Sequence, residues 1–197
     1  MEGRKQIAVF ATVCLVLCIL FAIPNVVKAY VPANPLPSLT GNQLEDIVHV
    51  AESQIGYTET DGGTVYGAEF KNEYGEWCAY FISWCARKAN IDKSVIPSTG
   101  SVDDFLYYGT KHIAADGYIP KRGDIVVYGD STAQYHVGLV TGYNSKYKYA
   151  TTVEGNLSEK VKASRTTWFK NGRGISISPA YYITPNYNSV APAKPAI

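Results

Sequence analysis

The sequence has little net charge and no internal repeat. Its 197 residues carry 18 Lys and Arg against 17 Asp and Glu, a formal charge of +1. Because positive and negative charges are almost equal in number, there is no electrostatic reason to expect nucleic acid as a partner. The absence of a repeat excludes solenoid and propeller architectures. With 46% hydrophobic residues the chain has enough apolar material for one domain with a proper core, and no second domain is expected.

Long hydrophobic runs are also absent, except at the N-terminus. Residues 1–29 have the organisation of a secretory signal peptide, in which Arg4 and Lys5 precede an uncharged apolar run from Ile7 to Ile23. Small residues allow cleavage before Tyr30, so we expect a secreted, extracellular protein. The alternative is an uncleaved membrane anchor, since the 17 residues of the run are at the lower limit for a span.

Few cysteines lie outside this segment. Only Cys78 and Cys85 remain, both in the stretch from Glu76 to Asn90, whose apolar residues recur at the spacing of a buried helix. Seven residues along a helix rise about 10 Å, too far for a disulfide between the two thiols. Cys78 falls in the first turn, where free backbone N–H groups and the helix dipole favour a thiolate. The alternative is that it serves as a small buried hydrophobe.

The order of the predicted elements indicates an α+β fold with N-terminal helices packed on a small antiparallel sheet. The domain is predicted over residues 42–185, after a Pro-rich leader at 30–41 and before a disordered tail at 186–197. Tyr57 to Gly75 is predicted as a loop, in which Asp61 and Gly62 favour a tight turn over a calcium site. Helices are predicted at Thr40–Gly56, Glu76–Asn90 and Ser101–Tyr108, and strands at Asp124–Tyr128, Tyr135–Tyr143, Tyr149–Asn156 and Gly174–Ile183, the last with an edge or bulge at Pro179.

Three polar residues come together if the second and third strands form a hairpin across Asn144 to Lys148. His136 opens the second strand, and Glu154 and Asn156 close the third, where residues two apart share a face. A helix packed on this sheet brings Cys78 to the third corner. The arrangement is typical of a nucleophile, a general base and a residue that orients the base. Each residue alone is more often structural.

Four segments of the chain follow one another in a recognisable order: EWCAYFISWCARKAN, PKRGDIVVYG, YHVGLVTGY and TTVEGN. In this order they resemble the CHAP domains, the cysteine amidohydrolases and peptidases of bacterial cell walls within the papain-like, NlpC-type grouping. The resemblance implies that Cys78 is the nucleophile, His136 the general base and Glu154 the orienting residue, with Asn156 as a fourth, polar member. No cofactor and no metal is expected.

The same resemblance implies association with the cell wall and hydrolysis of an amide in peptidoglycan, either between muramic acid and L-alanine or within the stem or cross-bridge peptide. Trp77, Tyr80 and Tyr135 flank the site and are candidates for lining a substrate groove, although Trp77 and Tyr80 are equally suited to packing. Gly155 is expected to permit a bend or the close approach of substrate. A non-enzymatic wall-binding module is the alternative, supported by the 16 tyrosines of the chain.

Overall fold

The computed structural model describes residues 30–130, 132–166, 169–170 and 176–188. The predicted signal segment at 1–29 lies outside these residues and stays a prediction. Within them, no helix is both long enough and apolar enough to cross a bilayer.

The first helix, α1, spans Gln43–Ser53. Its N-cap is Asn42, whose side chain accepts the N–H groups of Leu44 and Glu45, so the predicted start at Thr40 is wrong by two residues. Thr40 instead donates its backbone N–H and its hydroxyl to the buried carboxylate of Asp46. These hydrogen bonds hold the end of the Pro-rich leader against α1.

Two further helices follow. The short α2, Val65–Ala68, begins at Thr64, whose hydroxyl accepts the Gly67 N–H, and it lies in a segment that was predicted as a loop. The helix α3 spans Cys78–Lys88, and Asn90 follows it with a left-handed φ of 55°. The prediction of a helix with Cys78 in its first turn is therefore confirmed. The predicted helix near residues 101–108 is a 3-10 helix at Asp103–Tyr107.

The strands are β1 Thr110–Ile113, β2 Ile125–Gly129, β3 Gln134–Asn144, β4 Tyr149–Glu154, β5 Lys162–Arg165, β6 Phe169–Lys170 and β7 Ser176–Thr184. They form an antiparallel sheet in the order β1-β7-β2-β3-β4-β5, with β6 paired to β7. All four predicted strands are present, whereas β1, β5 and β6 were missed. The α+β class is confirmed.

Strands β3 and β4 form the hairpin expected across Asn144 to Lys148. Leu139 lies opposite Val153 and Val140 opposite Thr152, with a bulge between Val140 and Gly142. This register brings the beginning of β3 beside the end of β4, where His136 and Glu154 are found. Elsewhere, Pro179 of β7 lies opposite Tyr128 at a register shift. The register shift shows the bulge that was one of the two expectations for Pro179. On the other side of β7, β1 pairs with residues 181–184 and β6 with residues 176–177, so neither is registered against Pro179.

Helix α3 packs on one face of the sheet and forms the main core. All of its side chains except those of Tyr80, Arg87 and Lys88 are buried, as expected for an amphipathic helix against a sheet. The contact fixes the N-terminus of α3 near the end of the β3–β4 hairpin. The core residues from α3 are Phe81, Ile82, Trp84 and Cys85, and those from the sheet include Ile125, Val127, Val137, Leu139 and Val153.

The last described residues return to the beginning of α1. The Tyr187 hydroxyl donates to the Gly123 carbonyl over 2.7 Å, and the Asn188 N–H donates to Gln43 Oε1 over 2.8 Å. Tyr187 and Asn188, which were placed in the predicted tail, thus contact the domain. Residues 189–197 lie outside the described residues.

Candidate active site

Cys78 is the first residue of α3 and is 6% exposed. No side chain caps the first turn, since the N-cap position is occupied by Trp77 without a capping hydrogen bond from its side chain. The N–H groups of the first turn of a helix have no intrahelical partner, and they carry the positive end of the helix dipole. The thiol of Cys78 therefore lies where a negative charge is stabilised.

The second cysteine has a different environment. Cys85 is a free thiol, fully buried in the core two turns along α3. Burial raises its pKa well above the ordinary value, because a thiolate there would lose its hydration. Cys85 is therefore a packing residue, and Cys78 is the thiol available for chemistry.

His136 connects the thiol to a carboxylate. Its Nε2 lies 2.9 Å from Glu154 Oε2, and it also hydrogen-bonds with Cys78. Since Nε2 is taken by Glu154, Nδ1 is the ring nitrogen left for the thiol. His136 is 6% exposed and Glu154 is 1% exposed, so this chain of contacts is shielded from water.

The contacts of His136 favour its protonated form. Burial alone would lower its pKa, but hydrogen bonding and charge interactions with Cys78 and Glu154 outweigh burial and raise the pKa to about 10. The imidazole is thus held as an imidazolium between a thiol and a carboxylate.

Glu154 is held as a carboxylate in spite of its burial. Burial would raise its pKa, but the hydrogen bonds and charge of His136, with hydrogen bonds from the hydroxyls of Thr152 and Tyr128, keep the pKa below its ordinary value. Tyr128 donates to Oε1 over 2.8 Å, and Thr152 donates to the same oxygen over 2.5 Å. The arrangement has the residue types and contacts that a nucleophile, a base and a charged residue orienting the base require.

Residues 69–156 match the CHAP domain family. The CHAP domain is a cysteine amidohydrolase and peptidase domain of cell-wall hydrolases. The matched segment contains Cys78, His136 and Glu154, and the resemblance noted in the sequence is confirmed. Neither the curated proteins nor the solved structures compared with this chain include a match.

Two glycines of the CHAP domain make room for the site. A Cβ on Gly138 would lie 2.6 Å from Glu154 Cγ, so the absence of a side chain there admits the carboxylate. A Cβ on Gly155 would lie 2.5 Å from Phe81 Cβ. The close approach at Gly155 is therefore that of helix α3, and the expectation that substrate approaches there is not what the geometry favours.

Asn156, the fourth residue of the expected set, lies after β4 with a left-handed φ of 58°. Its side-chain amide donates to Glu76 Oε2 over 2.6 Å. The partner of His136 Nε2 is Glu154 and not Asn156. Asn156 thus ties the end of the hairpin to the loop that leads into Cys78, a contact that sequence reasoning did not foresee.

The three aromatic residues expected in a groove differ in exposure. Trp77 is 1% exposed, stacks on Tyr66 and donates its Nε1 to Glu59 over 2.7 Å. Its burial contradicts a groove-lining role and favours the packing alternative. Tyr80 and Tyr135 are half-buried, so part of each ring faces solvent, and their contact with substrate stays a prediction.

The Asp61-Gly62 segment is the tight turn that was expected. Thr60 and Gly63 exchange backbone hydrogen bonds across it, and Asp61 and Gly62 have φ values of 49° and 75°. Two central residues with positive φ are typical of a type I′ turn. Among the described residues, no group of three or more His, Cys, Asp or Glu side chains is arranged to hold a metal ion.

Sequence reasoning missed Tyr128, Thr152 and Gly138. Thr152 was detectable, because it lies two residues before Glu154 in a predicted strand and so shares its face. Tyr128 and Gly138 depend on the pairing of three strands. The positions of the bulges that set this pairing are not visible in the sequence.

The charge of Glu154 provides a pH-dependent prediction. We expect Glu154→Gln to lower the pKa of His136 from about 10, because the imidazolium loses its buried counter-charge. Wall hydrolysis should fall by roughly 10²–10⁴-fold, as expected when the residue that orients a catalytic base loses its charge. An NMR titration of the His136 ring with parallel rate measurements checks both effects.

The same pair sets the sign of a stability change with pH. Because the pKa of His136 is higher in the folded protein than in the unfolded chain, its protonation stabilises the fold. This stabilisation is complete below pH 6.5, the pKa of the unfolded chain, and is lost as the pH rises through about 10. Because the pKa of Glu154 is lower in the folded protein than in the unfolded chain, its ionisation stabilises the fold above pH 4.5, the pKa of the unfolded chain. This stabilisation is lost as the pH falls through the folded-state pKa. An unfolding free energy of Glu154→Gln with the same dependence on pH as the wild type would contradict the assignment of the pair.

Proposed function

We propose that the protein is a secreted peptidoglycan hydrolase that cleaves an amide bond by a Cys-His-Glu thiol mechanism. The observation that carries the proposal is the buried hydrogen-bonded chain from Cys78 through His136 to Glu154, inside the segment that matches the CHAP domain. A papain-like, NlpC-type arrangement of helix and sheet is part of the proposal. The helix α3 that presents Cys78 and the sheet that presents His136 and Glu154 support it.

The first half of the reaction uses the pair of Cys78 and His136. The thiolate attacks the carbonyl carbon of the scissile amide, and a carbon–sulfur bond forms. His136 then donates its proton to the nitrogen of the leaving amine as the carbon–nitrogen bond breaks. The products of this half are a thioester on Cys78, a free amine and a neutral imidazole.

The second half restores the resting state. The neutral imidazole of His136 takes a proton from water, and the hydroxide attacks the thioester carbon. The carbon–sulfur bond breaks, a carboxylic acid leaves, and the thiolate and imidazolium are regenerated. Throughout, Glu154 Oε2 holds Nε2 of the ring, so that Nδ1 faces the reacting atoms.

The negative charge on the carbonyl oxygen needs donors during both halves. The backbone N–H of Cys78 at the start of α3 is one such donor, because the first turn has no side-chain cap. Backbone N–H groups at a helix start suit a developing oxyanion.

Secretion is a separate part of the proposal and is supported by the pattern of residues 1–29. N-terminal sequencing of the protein recovered from culture medium should give Tyr30 as the first residue. Recovery of the intact N-terminus in the membrane fraction would favour the anchored form.

Digestion of purified peptidoglycan tests the activity. We expect the wild type to release soluble fragments and new free amino groups, and Cys78→Ala to release none. Cys85→Ala is the matched control, because it removes a thiol from the same helix outside the proposed mechanism. Mass spectrometry of the fragments distinguishes cleavage between muramic acid and L-alanine from cleavage within the stem or cross-bridge. Binding to the wall without release of any fragment would favour the non-enzymatic module instead.

A further inference from the structure

The oxygen of Glu154 that does not face His136 has two partners. Oε1 accepts the Tyr128 hydroxyl over 2.8 Å and the Thr152 hydroxyl over 2.5 Å, while Oε2 lies 2.9 Å from His136 Nε2. Tyr128 and Thr152 are each 1% exposed. A carboxylate with both oxygens bonded from different directions cannot rotate about its last torsion without breaking hydrogen bonds.

These donors come from two strands. Tyr128 lies on β2 directly opposite His136 in the register, and Thr152 precedes Glu154 by two residues on β4. Lys162 of β5 is the register partner of Glu154. The hydroxyl of Tyr128 remains a donor over the working pH range, because burial, followed by the charge of Glu154, raises its pKa well above the ordinary value. Tyr182 of β7 is the other titratable group that acts on Tyr128.

Burial makes these donors necessary. A carboxylate removed from water is costly unless hydrogen bonds replace its hydration, and otherwise it takes up a proton. A protonated Glu154 would present no charge to the imidazolium, and the proton on His136 would return to Cys78. The hydroxyls of Tyr128 and Thr152 therefore act on the thiol through two intervening groups.

We propose that Tyr128 and Thr152 are positioning residues for the reaction, which fix the Glu154 carboxylate in its charged form with Oε2 on His136. This inference rests on the proposed function, in which the thiolate of Cys78 is the nucleophile. Neither residue touches the substrate. Their effect is to extend to lower pH the range in which the thiolate exists.

The test measures the rate at which iodoacetamide alkylates Cys78 as a function of pH, with the modified peptide identified by mass spectrometry. We expect Tyr128→Phe and Thr152→Val each to move the acid limb of this profile upward by about one pH unit, the size expected for the loss of one hydrogen bond to a charged group. Thr152→Ser keeps the hydroxyl and should restore the wild-type limb.

Tyr66→Phe is the matched control for the loss of a buried tyrosine hydroxyl. Tyr66 is fully buried, and its hydroxyl donates to Gln54 Oε1. A comparable loss of stability is expected in this variant without movement of the acid limb. If Tyr128→Phe leaves the limb at the wild-type pH, or if Tyr66→Phe moves it as far, the positioning role is wrong.

This readout is independent of wall hydrolysis. Alkylation reports the thiolate of Cys78 whether or not peptidoglycan is the substrate. If the variants show shifted acid limbs but the wild type releases nothing from peptidoglycan, the proposed substrate is wrong and the positioning of Glu154 is upheld. The reverse result, hydrolysis with unchanged limbs in Tyr128→Phe and Thr152→Val, would overturn the positioning role alone.

Discussion

Replacing His136 with alanine is expected to reduce wall hydrolysis by roughly 10⁴–10⁶-fold, to the level of Cys78→Ala. The reason is that the two residues act as one unit. The imidazole of His136 takes the proton of the thiol, and the resulting imidazolium protonates the leaving amine, so both steps are lost in the variant. For the same reason, we expect the double variant to be no slower than either single variant. Initial rates of amine release from peptidoglycan measure all three.

The other two histidines provide controls for this experiment. His49 is exposed on α1, and His112 lies on β1 stacked against Tyr118. Replacing His49 with alanine should leave the rate within about twofold of the wild type, as is usual for an exposed residue away from the chemistry. Independent, multiplicative effects of the Cys78 and His136 variants would contradict a shared mechanism.

Gly155→Ala is expected to destabilise the fold by overpacking the contact between α3 and the end of β4. The added Cβ would lie 2.5 Å from Phe81 Cβ, an atom fixed to the backbone of α3, and it could be accommodated only if helix and sheet moved apart. Overpacking of this kind costs about 1–3 kcal/mol and sometimes more. For a chain of this size, each kcal/mol lowers the melting temperature by about 2–4 °C.

Gly142→Ala is the matched control in the same sheet. Its Cβ would lie 3.2 Å from the hydroxyl of Thr151, a side-chain atom that has room to adjust. Neither glycine is among the residues with positive φ, so the comparison isolates packing from backbone strain. Thermal unfolding of both variants decides the matter. Equal melting temperatures would show that α3 is not closely packed against the end of β4.

The cluster of Cys78, His136 and Glu154 was predictable because its members lie in strongly patterned segments. The apolar positions around Cys78 repeat at helical spacing, and the strands that carry His136 and Glu154 are separated by a short polar turn. These local patterns determine the helix and the hairpin, and the hairpin then brings His136 beside Glu154. The helix, the hairpin and the α+β class followed from the sequence for this reason.

The elements that were missed have no such pattern. Strand β1 is four residues long and mostly exposed, and it exists because it pairs with the end of β7. Strand β5 similarly has no buried residue of its own and depends on β4. Their structure is decided by long-range pairing, which outweighs local preference in short strands.

The burial of Trp77 illustrates a different limit. A tryptophan beside a catalytic cysteine is suited both to a substrate groove and to a core, and the sequence does not distinguish them. What decides is the position of Glu59, which accepts the indole N–H from a loop 18 residues earlier. Tertiary contacts of this kind are set only after the loop has folded against the helix.

The contact between Asn188 and Gln43 has a consequence for engineering. Because Asn188, the last described residue, contacts the first residue of α1, a linker of a few residues would join the two points without disturbing a strand. New ends would then be opened in the turn from Asn144 to Lys148, which lies at the end of the hairpin away from His136 and contains exposed residues. Such a circular permutant would keep every strand pairing described above, and it would place a fused protein at the opposite end of the hairpin from His136 and Glu154.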